Sequence, residues 1–260
     1  MTSARIEKMS EKLIRDRLIE KGNVLFQSPK QPIQFTKVAE ADKLLDDLTG
    51  HPHAFVLACV MDRRFYSEKI WLIPNRISQE FHGFSMEVLL SLSQEKVSQL
   101  IRQPPALHCF ADKMSVVFCS AVNRIENQYK GKADLIWDGK PSSAEVVYRF
   151  LEFDGVGPKI ACMAANTLAR DFKIPFDDYF SIDISADVHV RRVFARLGLC
   201  AANSTVEQVI YKARSLNPDF PGIIDLPCWE IGENWCKPGE KPKCDQCYMK
   251  DLCPTANSKI

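Results

Sequence analysis

Apolar residues recur along most of this chain at intervals of three and four, the period of a helix with one buried face. In "QEKVSQLIRQ", Val97, Leu100 and Ile101 fall on one stripe. "ADKMSVVFCSAVNRIENQYKG" predicts a long helix with Asp112 near its start and Gly131 just past its end. "KPSSAEVVYRFLEF" offers Ser142 as N-cap with Glu145 three residues on, the pattern of a capping box. "DVHVRRVFARLG" sets Val190, Val193, Phe194 and Leu197 on one face, with Gly198 as the stop. Strand signals are scarce. "DYFSIDIS" alternates, but it is short and lies between helical stretches. The pattern predicts an all-α chain of about ten helices in two helical lobes.

Composition narrows the setting. The chain has 260 residues, 46% hydrophobic and 26% charged, and no apolar run long enough to span a membrane. Its opening, "MTSARIEKMSEKLIRDRLIEKG", lacks the apolar core of a signal peptide, and its Glu residues argue against a transit peptide. An intracellular protein is expected, in the cytoplasm and nucleoid or in a nucleus. The net charge of +1 does not announce a nucleic-acid binder, although a neutral total can hide a basic face. Arg191, Arg192 and Arg196, with Lys159 and Arg170 upstream, form a candidate basic face; solvated helix surface is the competing reading.

Cysteines change the picture more. Of the ten, Cys59, Cys109, Cys119, Cys162, Cys200 and Cys228 are scattered, mostly in apolar surroundings such as "FVLACVM" and "VVFCSAV". They read as buried thiols in a reducing compartment. The other four crowd together in "CKPGEKPKCDQCYMKDLC": Cys236, Cys244, Cys247 and Cys253, spaced C-x7-C-x2-C-x5-C. Four thiolates this close suit zinc or an iron–sulfur cluster. Zinc sites more often use two separated C-x2-C pairs. One pair flanked by single cysteines favours a cubane cluster, whose four irons each need one ligand.

A second motif is "FDGVGPKIA". Gly155 and Gly157 are expected to permit positive φ and close backbone approach, and Pro158 suits the first position of a helix. With a helix on either side this reads as helix–hairpin–helix. Exposed N–H groups at such a turn attract phosphate, although a plain glycine turn between packed helices has the same appearance.

Taken in order, "FDGVGPK", "DVHV", "IGENWC" and the four cysteines resemble the helix–hairpin–helix DNA glycosylases, and within them the endonuclease III-like branch with a C-terminal iron–sulfur loop. The resemblance runs from about residue 50 to 255. It implies a helical barrel domain over 50–186 that ends in the hairpin, and a cluster domain built from 1–49 and 187–260. The active site would lie in the cleft between them. Lys159 matches the family's nucleophile, for which burial is expected, and Asp187 matches its aspartate. Asp183 is the rival carboxylate, and His189 is expected to orient or pack. The implied partner is double-stranded DNA with a damaged or mismatched base, bound by a monomer. Gly155, Val156 and Gly157 would grip its backbone, and Lys237, Lys241 and Lys243 of the cysteine-flanked loop would reach its phosphates. The implied cofactor is a 4Fe–4S cluster.

Three departures stand out. Asp154 replaces the family's usual proline, and the first cysteine gap is one residue longer. Met61 takes the position where many relatives carry a glutamine that fills the gap left by the extruded base; an apolar wedge can do the same. The implied activity is base excision, with strand nicking by β-elimination through a lysine Schiff base. The rivals are a monofunctional glycosylase, a helix–hairpin–helix protein that binds DNA without cutting it, and a zinc-stabilised protein with no catalytic role.

Overall fold

Every regular element among the described residues is helical. The computed structural model describes residues 3–63, 67–239 and 241–257. The first helices are α1 (Ser3–Gln27), α2 (Ala39–Asp46), α3 (Pro52–Met61), α4 (Ser67–Ile70), α5 (Ile73–Phe81), α6 (Met86–Leu90) and α7 (Gln94–Arg102). They are followed by α8 (Ala111–Tyr129), α9 (Ser143–Leu151), α10 (Pro158–Arg170), α11 (Val188–Arg196), α12 (Val206–Leu216), α13 (Asp225–Asn234) and α14 (Pro254–Asn257). No helix among them is long and apolar enough to cross a membrane.

The first lobe is built around α3. Every residue of this helix is buried, so it has no polar face and belongs in the centre of a core. Helices α2, α5, α8 and α10 pack around it. Phe55 of α3 meets Phe172 edge-on at 5.0 Å. On α8 the buried stripe runs through Met114, Val117, Phe118, Ala121, Val122 and Ile125. That helix stops where Lys130 turns left-handed at φ 54, and Gly131, at φ 74, returns its N–H to the Ile125 carbonyl at 3.1 Å. Val97, Leu100 and Ile101 are buried on α7, as their spacing predicts.

The second lobe gathers α1 with the C-terminal helices. α1 lies along α13 and the 3₁₀ turn Pro221–Ile224. A Cβ on Gly22 would stand 2.3 Å from the Ile223 carbonyl oxygen, so this approach requires glycine. Lys212 pairs with Glu11 of α1 at 2.7 Å, and Arg17 donates to the Tyr248 carbonyl at 3.1 Å. Residues 39–46, grouped with α1 in the sequence reading, pack as α2 on α3 and α5.

Two local expectations are corrected. Ser142 caps α9 by accepting the Glu145 N–H, but the return bond is missing because the Glu145 carboxylate is held by Arg149 one turn on. The reciprocal box occurs instead at Thr205 and Gln208. "DYFSIDIS" forms no strand. Its residues 182–186 are buried without regular structure, and the Ile182 carbonyl accepts from Gly222 at 2.7 Å. This segment carries the chain from α10 into α11.

Candidate active site

The hairpin between α9 and α10 is a glycine turn with unused donors. Gly155 has φ 73, which an L side chain rarely adopts. A Cβ there would also strike the Arg63 guanidinium, 1.9 Å from its nearest nitrogen. Arg63 reaches under the turn from just beyond α3 and donates to the Asp154 carbonyl at 2.8 Å. The Asp154 carboxylate takes the Ser120 hydroxyl of α8, a tie that proline could not make.

Gly157 differs from the expectation. Its φ is −108, available to any residue, and a Cβ on it would meet nothing within 4 Å among the described residues. None of those residues requires glycine there. The N–H groups of Gly155 and Gly157 have no partner among the described residues, and those of Lys159 and Ile160 are orphaned in the first turn of α10. Val156 is different: its side chain is buried and its N–H is taken by the Phe153 carbonyl at 3.0 Å. It props the turn from inside, so the expected DNA contact cannot come from its side chain or its N–H.

Lys159 stands on the rim of a cleft of about 420 Å³ that also contains Asp187. The expectation of burial fails. Lys159 is exposed, and its ammonium has no hydrogen bond or ion pair among the described residues. Asp187 caps α11, its Oδ1 accepting the N–H groups of His189 at 2.8 Å and Val190 at 2.9 Å. The rival carboxylate is out of the cleft: Asp183 grips Arg214 through two 2.7 Å bonds. His189 sits behind, its Nδ1 3.2 Å from Arg192 and 3.6 Å from the Glu233 carboxylate.

The rest of the cleft was not visible in the sequence. Its aromatic wall combines Trp71 and Phe35, stacked at 4.6 Å, with Trp229. Ile33, Gln34 and Phe35 come from the link between α1 and α2, so the N-terminal region builds one side of the site. Asn166, Arg170 and Asp171 line it from α10, and Asp225 from the first turn of α13. Burial pushes the Asp225 carboxyl up to about 6, against the opposing pull of the Ser185 N–H it accepts at 2.7 Å.

Met61 is corrected outright. It is 0% exposed at the end of α3, inside the core, and cannot enter a DNA stack. Apolar character in a helix that is apolar apart from His53 does not say which residue reaches the surface. Phe110, 51% exposed, lies instead in a shallow pocket with Arg63, His108 and Lys113, beside the hairpin.

The four clustered cysteines converge. Cys236, Cys244, Cys247 and Cys253 line one small cavity between α11, α13 and the C-terminal loop. Among the described residues no group of three or more His, Cys, Asp or Glu is gathered as for a single metal ion. The Arg196 guanidinium donates to the Cys236 sulfur at 2.9 Å. Burial pushes the Cys247 and Cys253 thiols up, and the neighbouring cysteines add to it. The arginines of the candidate basic face are committed to carbonyl oxygens. Arg191 donates to the Ser204 carbonyl, Arg192 to those of Cys236 and Gly232, and Arg196 to that of Cys236. Lys241 and Lys243 are exposed on the loop, and Lys237 is partly covered.

This arrangement of hairpin, cleft and helical lobes is a fold shared with solved structures of DNA glycosylases. The chain is similar to endonuclease III in a trapped covalent intermediate with DNA, with a TM-score of 0.60 and 17% identity over 94% of this chain and 96% of that one. It is similar to a thermostable thymine-DNA glycosylase, with a TM-score of 0.60 and 15% identity over 95% and 98%. It is similar to the 8-oxoguanine glycosylase/lyase of Clostridium acetobutylicum, with a TM-score of 0.54 and 16% identity over 86% and 68%. No family model matches the sequence, and no curated protein matches it.

Proposed function

We propose that this chain is a base-excision DNA glycosylase with lyase activity, acting as a monomer on double-stranded DNA that contains a damaged or mismatched base. The observation that carries the reading is the pairing of Lys159 and Asp187 in one cleft, directly beyond a hairpin with unpaired N–H groups. A protein that only gripped DNA would need the hairpin but neither of these side chains.

The target base lies inside the duplex stack, so its nucleotide must be turned out into the cleft. The N–H groups of Gly155, Gly157, Lys159 and Ile160 hold a backbone phosphate at the positive end of α10. The open space over Gly157 lets the strand approach. Phe110, exposed beside the hairpin, serves as the apolar wedge for the vacated stack. Lys241 and Lys243 reach flanking phosphates. The base packs against Trp71, Phe35 and Trp229, and the Lys159 amine attacks the sugar C1′. DNA closing over the rim takes Lys159 out of water, which favours the neutral amine required for attack. The Asp187 carboxylate, fixed by its two N–H bonds, faces the positive charge that grows on the sugar. The Schiff base left on Lys159 permits β-elimination and a strand nick.

We assign a 4Fe–4S cluster to the cysteine cavity. Four thiols ring one space with no His, Asp or Glu in its lining, and Arg196 supplies a hydrogen bond suited to a thiolate. Bound there, the cluster would staple the C-terminal loop to α11 and α13.

Borohydride trapping tests the reading. Wild type should form a covalent adduct with an abasic or lesion-bearing duplex, and the adduct should vanish in both Lys159→Ala and Lys159→Arg, since a guanidinium forms no Schiff base. Excision without any trapped adduct, retained in Lys159→Arg, would point to a monofunctional enzyme.

A further inference from the structure

Besides Asp187 the cleft is lined by Asp62, by Asp171, which is tied to Arg170, and by Asp225, none with a place in the reaction so far. Asp225 opens α13 and faces Lys159 and Asp187 across the same space. One of its oxygens, Oδ1, accepts the Ser185 N–H at 2.7 Å, which fixes the side chain on the segment that carries Asp187. The other, Oδ2, has no hydrogen-bond partner among the described residues. The two carboxylates are therefore equipped differently. Asp187 holds two backbone N–H groups on one oxygen at a helix start. Asp225 holds one and keeps an oxygen open to the cleft.

We propose that Asp225 is the proton carrier of this cleft, delivering a proton from Oδ2 to the nucleobase nitrogen as its bond to C1′ breaks; this rests on the glycosylase reading above. The Lys159 ammonium first gives a proton to water as the strand closes over it, and the neutral amine forms the new N–C1′ bond. The bond from C1′ to the base breaks, and its electron pair leaves on the base nitrogen. That nitrogen takes the proton from Asp225. The resulting carboxylate recovers a proton from the cationic nitrogen now joined to C1′, so Asp225 ends protonated as it began.

The surroundings suit a group that changes protonation during turnover. Lys159 and Arg170 face Asp225 from α10, Asp187 from the entry to α11, and the Cys162 and Cys228 thiols stand behind it. Burial outweighs the two cations and holds the carboxyl at about 6, within reach of the working pH. A pair of carboxylates in unlike environments is the usual arrangement for dividing proton transfer from charge stabilisation.

The experiment compares wild type, Asp225→Asn and Asp225→Glu by single-turnover excision from pH 5 to 8.5 on a duplex lesion that wild type cleaves. Borohydride trapping on a preformed abasic duplex, where no base departs, is run in parallel. The wild-type profile should bend near pH 6. Asp225→Asn keeps an acceptor for Ser185, so it should fold and bind an abasic-analogue duplex. It should excise about 100-fold more slowly, lose the bend, and lose far less in trapping. Asp225→Glu should keep a bend. An unchanged rate and profile in Asp225→Asn would overturn the proposal, and so would excision and trapping falling together. If wild type excises no base from any lesion, the glycosylase reading itself fails, an outcome visible before any variant is made.

Discussion

The cleft meets the N-cap of α11 at Asp187, the cysteine loop packs on its later turns, and key charged groups of the two regions are held in opposite ways. Beside the loop, Arg192 and Arg196 are committed to carbonyl oxygens and to the Cys236 sulfur. In the cleft, the Lys159 ammonium and Asp225 Oδ2 have no hydrogen-bond partner among the described residues. Saturated charges fix a shape, whereas unsaturated ones facing a cavity wait for a ligand. The contrast divides residues of the same chemical type into structural and chemical roles, which their charge alone does not do.

Substitutions in the two regions should therefore fail differently. The largest effect belongs to Lys159→Arg, which should remove adduct formation by at least about 1,000-fold while leaving the melting temperature unchanged, because the side chain holds nothing in place. Cys247→Ala should do the reverse. Iron content, absorbance near 400 nm and fold stability should fall together, with a loss in melting temperature on the order of 10 °C. Intact stability without colour would break the comparison on the loop side.

Asp225→Asn sharpens it further. A carboxyl held at about 6 instead of its ordinary 3.8 means that the folded protein binds this proton more tightly than the unfolded chain. Stability from this group is full below the unfolded value and falls as pH rises from about 4 to about 6. At neutral pH the variant should therefore be more stable than wild type, by about 2 kcal/mol after allowance for partial exposure, with the gap closing toward pH 4. Thermal melts at the two pH values decide this. The smallest effect is that of Gly157→Val. Its backbone angles and open surroundings should limit the stability cost to about 1 kcal/mol, that of a poorer N-cap. DNA binding should weaken about tenfold on every sequence alike, as measured with an abasic-analogue duplex.

Much of this was legible in the sequence, and the failures have a common form. Helical periodicity gave α7, α8 and α11 with their buried faces because each carries a polar side to contrast with. Cysteine spacing marked the cavity because ligands of one site must sit close in a short loop. Met61 was misplaced because α3 is apolar apart from His53 and buried all round, so no contrast shows its orientation. The arginines of α11 were misread because charge states nothing about the carbonyls of a distant loop. Asp225 and Ile33–Phe35 were missed because their role exists only through long-range packing. Asp225 is 40 residues from the Ser185 it anchors, and the 33–35 segment has no periodicity at all.

That last segment has a consequence for how the protein becomes competent. The cleft joins residues 33–35 to residues 225–229, with α1 clamped to α13 nearby. Contacts this distant along a chain form late, after the entropy of closing the large intervening loop has been overcome. The core around α3 can collapse from nearer neighbours, but the wall of the cleft is finished only when the two distant stretches meet. An early collapsed intermediate would have a hairpin able to touch a phosphate and no chamber behind it, so DNA affinity should appear during refolding before excision does.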